Sequence, residues 1–193
     1  MSPSKKILIV GITGASGAIY GIRLLEALSR AEGVETHLII SPPAERIIEH
    51  ETEYKVHQVR ELAHFCHDID DLSSPLSSGS FLRDGMAVVP CSIKTMSAIA
   101  HSYADNLLVR AADVTLKERK PLILVPRETP LHLGHIRSML TLAEIGAILL
   151  PPMPAFYHGP KTVEDIIAPI IGKILDLLNI PHNLSPRWKG LAH

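Results

Sequence analysis

Short apolar runs alternate with stretches of helical spacing along most of this chain. Runs at 7–11, 36–40, 86–89 and 122–125 are rich in Ile, Val and Leu without a two-residue alternation, the pattern of strands buried on both faces, and 147–150 is a fifth. Between them, residues 18–30 place Ile19, Ile22, Leu25 and Leu28 on one helical face, and 106–117 and 135–144 carry similar stripes. Strand and helix in alternation predict a mostly parallel sheet wrapped by helices through right-handed crossovers. The expected fold is a single-domain, three-layer α/β structure of Rossmann-like or flavodoxin-like type. Residues 66–84, rich in Ser and Asp and without period, read as a long surface loop of the kind that often borders sites. A proline-rich connection at 151–160 precedes a last amphipathic helix at 163–178. The main domain is therefore expected over 1–178, with an arm at 179–193. No internal repeat is present.

Composition adds bounds. A length of 193 residues with 46% hydrophobic content suits one well-buried domain. The net charge of −1, from 19 basic and 20 acidic residues, gives no bulk field for nucleic acid or an anionic membrane, so any anion site must be local. Two cysteines, no apolar run approaching ~20 residues and a start unlike a signal peptide predict a soluble, cytoplasmic protein.

The chemistry concentrates where strands end, the edge at which open α/β sheets bind ligands. After the first strand, Gly11-Ile12-Thr13-Gly14-Ala15-Ser16-Gly17 runs into a helix whose first amides are free to meet a phosphate or a flavin edge, although a purely structural turn has the same look. The spacing matches neither the dinucleotide fingerprint nor a Walker A loop. The second strand ends at Ser41, and Pro90-Cys91-Ser92-Ile93-Lys94-Thr95 repeats the design of strand, polar turn and helix start. Cys91 has no local base and reads as a packing residue. Arg127-Glu128 closes the 122–125 strand: the two charges either cancel or divide the work, one holding an anion and the other moving a proton. Arg110 and Lys117 lie two helical turns apart beside Asp113, either as a solvated stripe or, with Arg127, as a cage for a terminal phosphate. Glu51, at the end of the helix that follows Ser41, is placed to fold back toward the same edge. Eleven histidines, among them His64, His67, His132 and His135, show no zinc-like spacing, and no metal site is expected.

Taken together, the glycine loop, the Pro90 to Thr95 turn, the basic helix 104–118, Val125-Pro126-Arg127-Glu128 and Pro154-Ala155-Phe156-Tyr157-His158 resemble the bacterial flavin prenyltransferases of the UbiX family over almost the whole chain, residues 6–188. That resemblance implies an enzyme that joins the dimethylallyl group of dimethylallyl phosphate to N5 and C6 of reduced FMN and releases phosphate without a metal. The product, prenylated FMN, would serve a UbiD-type decarboxylase in ubiquinone synthesis or aromatic acid breakdown. The resemblance assigns FMN to Gly14, Ala15, Ser16, Ser41, Ser92, Ile93, Lys94, Thr95 and Arg127. It assigns the allyl phosphate to Lys117, Arg127, Tyr157 and Lys173, with Arg110 nearby, and catalysis to Ser16, Glu51, Arg110, Lys117 and Glu128. Lys173 departs from the family's usual arginine and replaces a planar fork by a point charge. Trp188 is an aromatic that either covers the site or packs on a neighbouring subunit. The implied assembly is a homo-dodecamer with sites shared between subunits. The rival readings are an FMN-dependent cysteine-type decarboxylase, whose asparagine-containing signature is missing here, and a non-catalytic flavin carrier.

Overall fold

The structure is a computed structural model, and residues 5–184 are described. In chain order the elements are β1 Lys6–Ile12, α1 Ala18–Ser29, β2 Val34–Ile40, α2 Pro42–Glu51, α3 Val56–Glu61, β3 Phe65–His67, β4 Gly85–Cys91, α4 Ile93–Ala100, α5 Leu107–Lys117, β5 Leu122–Pro126, α6 Leu133–Glu144, β6 Ile148–Leu149 and α7 Val163–Leu177. All six strands are parallel, in the order β3-β2-β1-β4-β5-β6. The chain winds outward from β1 to β3, then returns to β4 and winds the other way. The reversal between β1 and β4 is the topological switch point at which such sheets open a crevice.

Two apolar layers flank the sheet. Ile22, Leu25 and Leu28 of α1 and Ile170, Ile171 and Ile174 of α7 pack with Leu8, Val10, Leu38 and Val89 on one face. Leu108, Ala111 and Ala112 of α5 and Met96 and Ile99 of α4 pack with Ile9, Ile39, Val88 and Leu124 on the other. Every residue of β4 and β5 is buried, which is why those strands read as unbroken apolar runs.

Three features departed from the sequence pattern. β3 was hidden because it is a three-residue edge strand with Phe65 half exposed, so it carries no apolar run. The short α3 carries one buried residue, Val59, too few for a visible stripe. Residues 68–84 do form a connection, but it packs firmly. Leu76 is fully buried, and the buried Arg83 guanidinium donates to the carbonyls of Leu76 (3.1 Å), Ser78 (2.6 Å), Phe81 (3.4 Å) and Ala111 (3.3 Å). One arginine thus ties three loop carbonyls to helix α5.

At the other end of the chain, Thr162 and Asp165 form a reciprocal cap on α7. Pro169 inside this helix has no N–H for the Asp165 carbonyl, and His158 Nε2 takes that acceptor at 3.1 Å, fastening the 151–160 connection to the helix. The first residues of the predicted arm fold back on the body: Lys6 Nζ donates to the carbonyls of Leu178 and Asn179, and Ile180 is buried. Trp188 lies outside the described residues.

Candidate functional site

The carboxyl ends of β1, β2 and β4 open onto a crevice of about 570 Å³, within the usual size of a small-molecule site. Thr13 and Gly14 line it from the first loop, Ser41 to Pro43 from the second, Ser92 to Thr95 from the third, and Glu128 from the exit of β5. Ile69 and Asp70 of the long loop and Asp105, Asn106, Leu108 and Val109 at the start of α5 complete the wall.

The first and third loops are locked together. Thr13, buried, donates from Oγ1 to the Pro90 carbonyl at 2.8 Å and accepts from the Ser92 amide at 2.7 Å. The Thr13 amide reaches the same carbonyl at 3.2 Å, which continues the regular β1–β4 register beyond Val88. Gly14 sits so close to α2 that a Cβ there would lie 2.6 Å from Pro43 Cβ, so the first turn of α2 requires glycine opposite it.

The helix starts are not equivalent. Ser92 caps α4 through Thr95 N (3.3 Å), leaving Ile93 and Lys94 to open the helix at the crevice, where first-turn amides have no carbonyl within the helix to bond. Ser41 caps α2 through Ala44 N (3.4 Å), but Pro42 and Pro43 fill its first two positions and have no N–H. The expectation of several anion-ready turns therefore narrows: α4 offers amides, whereas α2 offers an apolar wall and a hydroxyl.

Beside the crevice, Gly17 adopts a left-handed φ of 98° as the N-cap of α1 and has no side chain to cap it. Glu51 fills that role from the end of α2, accepting from the Gly17 amide at 2.7 Å. Partial burial favours protonation of Glu51, but the Ser16 hydroxyl, the amides of Gly17 and Ala18 and the Arg127 charge outweigh it and hold the carboxyl below its ordinary value. Glu51 is thus a carboxylate at a helix N-terminus, beside the Ser16 hydroxyl.

Arg127 and Glu128 do not neutralise each other. Arg127 Nε donates to the Ser16 carbonyl at 3.3 Å, while Glu128 Oε1 accepts from the Thr129 amide at 3.0 Å. One side chain braces the first loop and the other lies at the crevice. Cys91 is fully buried, and burial pushes its thiol far up, which suits packing and not nucleophilic attack.

Within one chain the crevice lining includes Gly14, Ser41, Ser92, Ile93, Lys94, Thr95 and Glu128, with Ser16, Glu51 and Arg127 bonded beside it. Ala15, between Gly14 and Ser16 in the first loop, does not line it, and neither do four further expected residues. Arg110 turns to the Ser77 carbonyl (3.1 Å) and to Asp113 (2.8 Å). Lys117 ends α5 ten residues beyond Leu107, roughly 15 Å along the axis, where it pairs with Glu118 near the amino end of β5. Tyr157 stands on the exposed connection before α7, edge-on to His158, and Lys173 is exposed on α7 itself. A shared helical face placed Arg110 with Asp113 correctly, but helix spacing carries no information on which way a helix runs relative to a crevice. Reasoning from motifs passed over Thr13, Ile69, Asp70, Asp105 and Asn106. The signals that would have found them are Thr13 within the glycine loop and Asn106 as a helix cap, its side chain accepting from Val109 N at 3.0 Å.

A parallel sheet in this order, with polar turns gathered at its switch point, defines a flavoprotein-type α/β domain, and the family model described as Flavoprotein matches residues 1–175. The chain belongs to the UbiX flavin prenyltransferase family: it is 54% identical over 187 residues to flavin prenyltransferase UbiX of Salmonella typhimurium, covering 96% of this chain and 99% of that one. Among solved structures it is similar to a dodecameric FMN-dependent UbiX-like decarboxylase from Escherichia coli O157:H7, with 49% identity, a TM-score of 0.94 and coverage of 95% and 100%. It is equally similar to AnUbiX in complex with FMN and dimethylallyl pyrophosphate, with 47% identity, a TM-score of 0.95 and coverage of 97% and 100%.

Proposed function

We propose that the protein transfers a dimethylallyl group from an allylic phosphate to reduced FMN, giving prenylated FMN and phosphate. The observation that carries the reading is the crevice at the β1/β4 switch point, set in a chain whose near-full-length relatives are flavin prenyltransferases. Its lining fits FMN: the open first turn of α4 and the hydroxyls of Ser41, Ser92 and Thr95 suit a phosphate and a polar tail, and Ile93, Leu108 and Val109 suit a ring. Reduced FMN supplies the nucleophilic N5 and C6 positions. Gly14, Ala15 and Ser16 form the loop against the flavin, braced by Arg127, and the Ser16–Glu51 pair holds a proton acceptor beside it.

Glu128 is the residue we assign to proton movement at the departing phosphate and at ring closure, because it places a carboxyl side chain on the crevice wall and Arg127 is bonded elsewhere. Arg110, Lys117, Tyr157 and Lys173 are assigned to the phosphate, which they would stabilise electrostatically. Since they do not line the crevice within one chain, the donor site is assigned to the junction between chains of a homo-oligomer, for which the dodecameric relative is the model. The acceptor of the product is assigned as a UbiD-type decarboxylase, and the compartment as the cytoplasm; no described helix is long and apolar enough to cross a membrane. The test is anaerobic incubation with reduced FMN and dimethylallyl phosphate followed by mass measurement of the flavin. A gain of one five-carbon unit supports the transferase, and an unchanged flavin refutes it.

A further inference from the structure

One wall of the crevice is held by a polar chain that the proposed chemistry does not use. At the β3 edge of the sheet, the side chains of Glu35 and His37 from β2 and His67 from β3 run in line to Ser74 of the long loop. Glu35 Oε1 lies 3.0 Å from His37 Nε2, His37 Nδ1 lies 2.9 Å from His67 Nε2, and His67 Nδ1 lies 3.0 Å from Ser74 Oγ. The His37 ring is packed by aromatics: Phe65 stacks on it at 4.9 Å and Phe81 meets it edge-on at 5.1 Å. His37 and Ser74 are both buried. Ser74 in turn caps the short turn Pro75–Ser77 through Leu76 N, and the loop before it supplies Ile69 and Asp70 to the crevice.

The donors can be assigned by elimination. Glu35, paired with Lys5 and His37, is held below its ordinary pKa and accepts, so His37 Nε2 carries a proton. With both rings neutral, His37 Nδ1 then accepts from His67 Nε2–H, and His67 Nδ1 accepts from the Ser74 hydroxyl. Every group is satisfied. One added proton is also accommodated: His37 donates from both nitrogens, to Glu35 and to His67, and His67 changes tautomer to donate from Nδ1 to Ser74. A second proton is not, because it sets two N–H groups against each other across 2.9 Å.

We propose that the His37–His67–Ser74 chain is a proton-sensitive clasp that fastens the 68–75 segment as a wall of the flavin crevice and releases it when the pair must take up a second proton. The link to flavin rests on the function proposed above; the clasp itself rests on the geometry. The other groups facing the pair are Glu35 and Lys5 on one side, Asp71 in the loop, and Arg83, which lies over the Phe81 ring at 5.5 Å. His64 bonds Thr36 and is a separate contact. Burial, with the neighbouring His37, holds His67 below its ordinary pKa, and Asp71 only partly offsets this. The open loop therefore binds more protons than the closed one, and closure weakens as pH falls from the ordinary histidine value of about 6.5. The weakening ends below the lowered value of His67. Arg83 keeps its bonds to the carbonyls of Leu76, Ser78 and Ala111 throughout, so the 76–84 end of the loop stays anchored and the part released is 68–75.

The experiment is amide hydrogen exchange of the full chain without ligand from pH 7.5 to 5.0, corrected for the intrinsic rate, comparing the wild type with His67→Gln and Ser74→Ala. Glutamine donates to His37 without titrating, and alanine removes the fastening to the loop. Protection of 69–74 is expected to fall by up to about tenfold per pH unit in the wild type, to stay high and flat in His67→Gln, and to be low and flat in Ser74→Ala. A flat wild-type profile, or the wild-type slope retained in either variant, overturns the clasp. FMN affinity measured on the same samples reports separately: protection that follows pH while affinity does not counts against the flavin reading of this wall and leaves the clasp standing.

Discussion

Replacing Thr13 by valine keeps the shape of a buried side chain and deletes one hydroxyl that joins two loops. The Pro90 carbonyl loses the Oγ1 donor but still accepts from the backbone amide of residue 13 at 3.2 Å, so it is not orphaned. The Ser92 amide loses the acceptor it meets at 2.7 Å. An orphaned donor costs about 1–3 kcal/mol, and because Ser92 is only partly buried the lower part of that range, about 1–2 kcal/mol, applies. For a chain of this size that lowers Tm by roughly 2–8 °C. Thr13→Ser is the control: it keeps both bonds and loses a methyl group, about 0.8 kcal/mol. Thermal unfolding and FMN titration of the two variants are the assay. Since Ser92 opens the turn assigned to the flavin, Thr13→Val is expected to weaken FMN binding by up to about 5- to 30-fold, the equivalent of 1–2 kcal/mol, and Thr13→Ser to leave it near wild type. Equal Tm and equal affinity in the two variants would refute the idea that this hydroxyl couples the loops.

Glu128→Gln should retain FMN binding and lose turnover by roughly 100- to 10,000-fold, the usual worth of positioned acid–base assistance; single-turnover flavin mass measurement checks it, and unchanged turnover removes Glu128 from proton transfer. Glu51 has a depressed pKa, so its bonds to the first loop survive as pH falls past the ordinary glutamate value and are lost only as pH falls through the depressed one. FMN affinity should therefore hold at the ordinary glutamate value, weaken only below it in the wild type and lose this pH dependence in Glu51→Gln, as fluorescence titration at stepped pH would show. Lys173→Arg should preserve or improve the apparent affinity for dimethylallyl phosphate, since a fork replaces a point charge, and a large loss would place this residue away from the donor.

The layered α/β fold was legible because parallel strands buried on both faces leave unbroken apolar runs, as β4 and β5 do, and because α1 and α5 keep clear apolar stripes. β3 was invisible for the converse reason: its stability comes from pairing with β2 and from the loop packed on it, not from its own three residues. In the site, the turns that follow strands were legible because strand exits converge at the switch point whatever the rest of the chain does. Arg83 and the His37–His67 pair were not. An arginine that spends its donors on backbone carbonyls, and histidines bonded across two strands, have no signature in local spacing.

By itself the sequence determined the alternation of strand and helix, the polar exits after β1, β2, β4 and β5, and the presence of Arg127 and Glu128 at one of them, because each follows from local pattern and covalent adjacency. Only the tertiary structure decided that Arg127 braces the first loop while Glu128 lies at the crevice, that Glu51 caps α1 from another helix, and that Lys117 sits at the far end of α5. Those outcomes depend on how separate elements are stacked and which way each helix runs. Packing of the two apolar layers sets that geometry, and local residue spacing does not encode it.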